Sequence, residues 1–155
     1  MFRYSVVYIL KDKNHALAHC VRLYASQLKL NAFTPHVTIR HSIAFPEAKR
    51  LQKLFKHSYK MPDLTLLDSV HVSSTLLFNA NGKRVSFYSI EQPVLTNGIR
   101  VPGLHLSLAY KVGKAFTVRE MDGIRPFKGT LKKGDFEVAV QSCHAKSPRF
   151  WRKVL

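Results

Sequence analysis

Two short segments of this chain alternate with the period of a β-strand, and each sets a histidine and a hydroxyl on the same side. They are Pro35-His36-Val37-Thr38-Ile39-Arg40 and Leu104-His105-Leu106-Ser107-Leu108-Ala109-Tyr110. Successive side chains of a strand point to opposite faces. His36, Thr38 and Arg40 are therefore expected on one face, with Val37 and Ile39 on the other, toward a core. In the second segment His105, Ser107 and Ala109 share a face, and Leu104, Leu106, Leu108 and Tyr110 point the opposite way. A chain with two such segments must bury two apolar sheet faces while leaving two polar ones for something else.

Two strands of this kind facing each other bring two imidazoles and two hydroxyls together, a set suited to a phosphodiester. A neutral histidine takes a proton from the attacking hydroxyl, and a protonated one gives a proton to the leaving oxygen. Histidine serves both tasks because its ordinary pKa is about 6.5. The hydroxyls of Thr38 and Ser107 can donate to the non-bridging oxygens. Arg40 adds a charged donor. The tripeptide His-x-Ser/Thr is weak evidence alone. It occurs three times here, the third being His71-Val72-Ser73, where Ser74 breaks the alternation. His71 is therefore read as an ordinary strand histidine at the margin of the site. His15 and His19 on the first helix, His57 near the end of the second, His41 with core parity and His144 at a strand end carry no assigned chemistry.

Charge points to the same class of ligand. Lys and Arg number 25 against 9 Asp and Glu, a net charge of +16. Such a chain concentrates polyanions near itself, which admits RNA, an oligonucleotide or an anionic membrane surface. With 155 residues, 46% of them hydrophobic, the chain suits one folded domain spanning residues 1–155. Cys20 and Cys143 form no metal motif and are too few for a disulfide scaffold, so they read as free thiols in a reducing compartment. No stretch is apolar enough to span a membrane. The apolar run at the N-terminus ends at Lys11-Asp12-Lys13, too early for a signal-peptide core. The expected compartment is the cytoplasm, with no obligatory protein partner in evidence.

The remaining pattern is a strand over Tyr4 to Leu10, a helix over residues 14–29 capped by Asn14, the strand His36 to Ile43, and a helix opening at Pro46. That second helix has a basic face of Lys49, Arg50, Lys53 and Lys56. Leu64 to Phe78 predicts one or two strands, and Asn81-Gly82 a hairpin into a strand over Arg84 to Ile90. Pro93, Asn97, Gly98, Pro102 and Gly103 suggest a loop over residues 91–103. Strands follow over Leu104 to Lys111, Ile124 to Leu131 and Phe136 to Ser142, the last two separated by the turn Lys132 to Asp135. Helices early and strands late argue for α+β with antiparallel sheet.

The paired motifs His36-Val37-Thr38-Ile39 and His105-Leu106-Ser107-Leu108, with this order of elements along nearly the whole chain, resemble the two-histidine (2H) phosphoesterase superfamily. The resemblance implies two pseudo-symmetric lobes of antiparallel sheet, helices outside and a central cleft. It also implies His36 and His105 as the acid–base pair, Thr38 and Ser107 on the phosphate, no metal and no cofactor. The short stretch before the second motif is similar to the compact viral branch (coronavirus, torovirus and rotavirus types). That branch cleaves 2′,5′-oligoadenylates in the host cytoplasm and so antagonises an innate antiviral RNA-degradation pathway. Cellular members acting on 2′,3′-cyclic nucleotides or RNA ends are the alternative within the family.

With a 2′,5′ linkage, the free 3′-hydroxyl beside the phosphate is one nucleophile and water is the other. The sequence alone does not say which histidine is base and which is acid. A base-stacking platform would come from Phe2, Tyr4, Tyr88, Tyr110 or Trp151. Three rivals from other classes are a basic module that holds RNA without cutting it, a metal-dependent hydrolase, and a structural or membrane-surface protein. The second is poorly served, because His36 and His41 face opposite sides of a strand and there is no His-Glu-x-x-His. The third is permitted by the basic second helix and asked for by nothing else.

Overall fold

A computed structural model of the chain describes residues 4–58, 61–78, 81–142 and 151–155. In chain order its elements are β1 (Tyr4–Leu10), α1 (Ala16–Leu28), β2 (His36–Ile43), α2 (Phe45–Ser58), β3 (Leu64–Leu66), β4 (His71–Phe78), β5 (Arg84–Thr96), β6 (Ile99–Val112), α3 (Val118–Asp122), β7 (Phe136–Ser142) and β8 (Arg152–Lys153). The class is α+β, as expected. The strands form one eight-stranded sheet in the order β3-β5-β6-β2-β1-β7-β8, with β4 also paired to β5. Every strand pairing among the described residues is antiparallel.

Both long helices lie on one face of this sheet. Leu17, Ala18 and Val21 of α1 and Ala48 of α2 share a buried cluster with Val6, Val37, Leu106, Leu108, Val138 and Val140. The opposite face carries a small cluster of Val7, Ile9 and Ala139. Val37 and Leu106 are cross-strand partners where β2 meets β6, and both are fully buried. Removing such side chains from water contributes about 2 kcal/mol each. Alternation then sends His36, Thr38, His105 and Ser107 to the face away from the helices.

Several expectations give way to tertiary structure. Helix α1 is capped by His15, not by Asn14: the His15 Nδ1 accepts from the Leu17 N–H at 3.0 Å, and its Nε2 meets Asp135 at 3.2 Å. Residues 91–103 are not a loop but the two arms of a long β5–β6 hairpin. Its turn is Asn97-Gly98, with φ of 49° and 76°, a two-residue turn with both central residues left-handed. Pro93 is tolerated because it falls in the gap between the β3 and β4 pairings, at a register irregularity toward β6. Its carbonyl accepts from the Leu67 N–H at 3.0 Å.

The strand expected over Ile124 to Leu131 is absent. Pro126 and Gly129 interrupt it, and side chains tie the segment down instead. The Gln92 amide donates to the carbonyls of Leu67 and Phe127 at 2.8 and 3.0 Å and accepts from the Phe127 N–H at 2.8 Å. The Tyr24 hydroxyl donates to the Arg125 carbonyl at 2.9 Å. Just before it, Thr117 and Glu120 close a capping box on the short helix α3.

Candidate active site

Each motif strand carries a β-bulge at the same place, three residues past its histidine. In β2, Val7 pairs with Thr38 but Val6 pairs with Arg40, so Ile39 is the extra residue. In β6, Glu91 pairs with Ser107 but Ile90 pairs with Ala109, so Leu108 is extra. A bulge inserts one residue and breaks the alternation. This corrects three parity assignments. Arg40 stands opposite Val6 of the core face, off the face of His36 and Thr38. Ala109 joins the main core. Tyr110, expected in the core, pairs with Ser89 on the histidine face.

The two histidines are also held alike. The His36 Nδ1 lies 2.8 Å from the Thr34 carbonyl and the His105 Nδ1 lies 2.7 Å from the Gly103 carbonyl, in each case two residues back. A carbonyl only accepts, so both Nδ1 atoms carry the proton and both Nε2 atoms are left to other partners. The chain reaches this geometry through residues that break regular strand. Pro35 precedes His36. Gly103, with φ of 81°, lies in a stretch of β6 that bulges out between the pairs Pro93–His105 and Leu95–Arg100. A side chain at that φ would be strained.

From this shared frame the environments diverge. His36 is only 5% exposed, with the rings of Phe33 and Trp151 edge-on at 6.2 and 5.9 Å. Burial lowers its pKa to about 4; the Thr34 carbonyl opposes this and the nearby His105 adds to it. His36 is thus neutral at physiological pH. In His105 burial also pulls downward, but the hydrogen bond and charge of Glu91, with the Gly103 carbonyl, outweigh it and raise the pKa above the ordinary value. The His105 Nε2 is 3.0 Å from Glu91 Oε2, and the other carboxylate oxygen is 3.3 Å from the His71 Nε2.

The Ser107 hydroxyl is buried and shares a hydrogen bond of 2.8 Å with Ser89. Thr38 is half-buried. Tyr110 and Trp151 join Phe33 and Phe87 in an aromatic group beside His36, with Tyr110 4.9 Å from Trp151 and 4.5 Å from Phe33. Of the other platform candidates, Tyr4 packs on Phe45 at 5.1 Å, Tyr88 has the opposite parity to Ser89, and Phe2 lies outside the described residues. Cys143 and His144 also lie outside them. Burial pushes the Cys20 thiol upward, more than its contact with Tyr24 lowers it, which suits a packed, unreactive side chain. No three His, Cys, Asp or Glu side chains converge as metal ligands among the described residues. No helix among them is long and apolar enough to cross a membrane.

Glu91 and Ser89 are the site residues that sequence reading missed. Glu91 fell within the presumed loop. Its signal was an acid in the otherwise uncharged run Phe87 to Leu95 of a strongly basic chain.

The depressed pKa of His36 makes stability depend on acid. Below pH 6.5 the unfolded chain binds a proton at His36 that the folded chain refuses until about pH 4. This contribution is complete above that window and is lost as pH falls through it, by about 3 kcal/mol in all. The raised pKa of His105 acts on the other side: its contribution is full below pH 6.5 and is lost as pH rises through the folded value. Urea unfolding at pH 4.5 and pH 7 is expected to show wild type losing more stability in acid than His36→Gln. Equal losses would mean His36 is not held neutral by the fold.

No family model, curated protein or solved structure matches this chain.

Proposed function

We propose that the protein is a phosphodiesterase that cleaves 2′,5′-linked oligoadenylate by acid–base catalysis between His36 and His105. The observation that carries this reading is the pair itself. Two histidines on adjacent strands are fixed by the same kind of backbone hydrogen bond, yet burial lowers the pKa of His36 while the Glu91 carboxylate raises that of His105. Opposed pKa shifts on neighbouring groups are the arrangement a concerted acid and base require. The +16 charge supports a polyanionic substrate. The two halves of the sheet that meet at β2 and β6 are read as the two lobes of the two-histidine type, with substrate between them.

In this mechanism His36 is the base. Its Nε2 takes the proton of the 3′-hydroxyl, whose oxygen attacks phosphorus. The bond from phosphorus to the 5′-oxygen breaks, and the His105 Nε2–H protonates that oxygen. The products are a 2′,3′-cyclic phosphate and a free 5′-hydroxyl. Each histidine ends in the other's starting state, and proton exchange with water restores both. Ser107 and Thr38 donate to the non-bridging oxygens, while Arg40, turned away by the bulge, is left to the outer field. In a host cell this activity would remove the signal that triggers antiviral RNA degradation.

The test is cleavage of 2′,5′-linked oligoadenylate against its 3′,5′-linked isomer, in chelator, by wild type and His105→Ala. Cleavage of the 2′,5′ isomer by wild type only is the expected result. If neither isomer is cut but a 2′,3′-cyclic nucleotide is opened, the site is of the cellular type. RNA retained without turnover of any of them would make the domain a binding module.

A further inference from the structure

Glu91 is 8% exposed and lies on β5, directly opposite His71 of β4 and beside β6. Burying a carboxylate is costly unless it is paired and hydrogen-bonded. Here each oxygen has its own imidazole, His71 at 3.3 Å and His105 at 3.0 Å. His105 therefore has an acceptor on both ring nitrogens, Gly103 at Nδ1 and Glu91 at Nε2. Only the doubly protonated ring satisfies both. His36 has one such acceptor, at Nδ1. Among the described residues, Glu91 is paired with His71 from β4 and His105 from β6; the same face also carries Tyr110 on β6, His36 one strand further on β2, and, beyond it, Glu137 on β7 paired with Lys153 of β8.

The same geometry poses a problem for catalysis. The proton that His105 must give to the leaving oxygen points at Glu91. We infer that Glu91 is a positioning residue that keeps His105 loaded in the free enzyme, and that His71 draws the carboxylate aside when a phosphodiester takes its place on Nε2. This rests on the reading of His105 as the acid. An anionic phosphate entering next to a buried carboxylate would be repelled unless that carboxylate had a second partner. His71 supplies it toward the outside of the sheet, its side chain 52% exposed. Substrate and Glu91 thus compete for one imidazolium, and His71 biases the competition toward substrate.

The two partners should then fail in different ways. Glu91→Gln keeps the shape and an acceptor but removes the charge. The His105 proton is then lost at lower pH, so the alkaline limb of the kcat profile moves down. KM for the anionic substrate does not rise, because its competitor has gone. In His71→Gln the carboxylate stays on His105: KM rises about two- to fivefold, the scale of one exposed ion pair, and the alkaline limb does not move down.

The experiment is ring-nitrogen NMR titration of His105 in wild type, Glu91→Gln and His71→Gln, with kcat and KM against pH for the same proteins. A His105 titration moved downward in Glu91→Gln and not in His71→Gln supports the proposal. An unmoved titration in Glu91→Gln overturns it, as does a rise in KM in that variant without a shift of its pH profile. Because the titration needs no substrate, it decides the role of Glu91 even if wild type cleaves no phosphodiester, an outcome that would sink only the proposed function. Thermal unfolding of both variants separates these effects from simple loss of fold.

Discussion

His36→Ala and His105→Ala are each expected to lower turnover of 2′,5′-linked oligoadenylate by at least about a hundredfold, the range for loss of a general acid or base. The two losses should differ in their pH dependence. Without His36 the proton of the attacking hydroxyl has no acceptor at neutral pH. Its low pKa, about 4, also means that the acidic limb of the wild-type profile lies well below neutrality. Without His105 the departing oxygen leaves unprotonated, and the alkaline limb disappears with the group that produced it. If the pair acts as a unit, the double variant should be little worse than either single one. Steady-state rates for the four proteins, under conditions where each is folded by circular dichroism, decide the matter. Wild-type-like turnover in either single variant would remove that residue from the mechanism.

Leu106→Ala has the second largest expected effect, on stability first and on activity through it. Leu106 is fully buried and is the cross-strand partner of Val37 at the junction of β2 and β6. It thus stands behind both histidines. Truncating such a leucine costs about 2–5 kcal/mol, depending on how far the site collapses into the cavity. That is a large part of the roughly 5–15 kcal/mol that holds a domain folded. The two motif strands share few pairing contacts, so collapse there would shift one histidine against the other, and a misplacement of about 1 Å can cost a hundredfold in rate. Leu76→Ala, on a side chain 60% exposed on β4, is the control and should leave stability nearly unchanged. Urea unfolding of both variants measures the difference. A cost for Leu106→Ala no larger than for Leu76→Ala would contradict the packing described.

Features legible in the chain alone are local ones. The alternation of His36 to Ile39 and of His105 to Leu108 defined two strands and put His36, Thr38, His105 and Ser107 on one face of the sheet. The β-branched N-terminal run, the helical spacing of Leu17, Val21 and Tyr24 and the hairpin signal Asn81-Gly82 located β1, α1 and the β4–β5 pair, and local pattern of the same kind located β2, α2 and β7. Period and turn chemistry act between near neighbours, so a single strand or helix reveals them.

Tertiary structure decided whatever depended on a distant partner. Pro93 reads as a breaker until β3 and β4 are seen to leave a gap at its nitrogen. His15 displaces Asn14 as the cap of α1, and its ring also meets Asp135, far along the chain. The segment after α3 has a strand's composition but Pro126 and Gly129 deny it a ladder, and Gln92 and Tyr24 supply its hydrogen bonds instead. The bulges at Ile39 and Leu108 turned Arg40 out and Tyr110 in, because a sheet's register is set by both strands of a pair and alternation is a property of one. The different characters of His36 and His105 arise in the same way. Their motifs are nearly identical, but burial beside Trp151 lowers the pKa of one, and a carboxylate from the neighbouring strand raises that of the other. A proton's affinity is set by the field of everything packed around it, and that field exists only once the chain has folded.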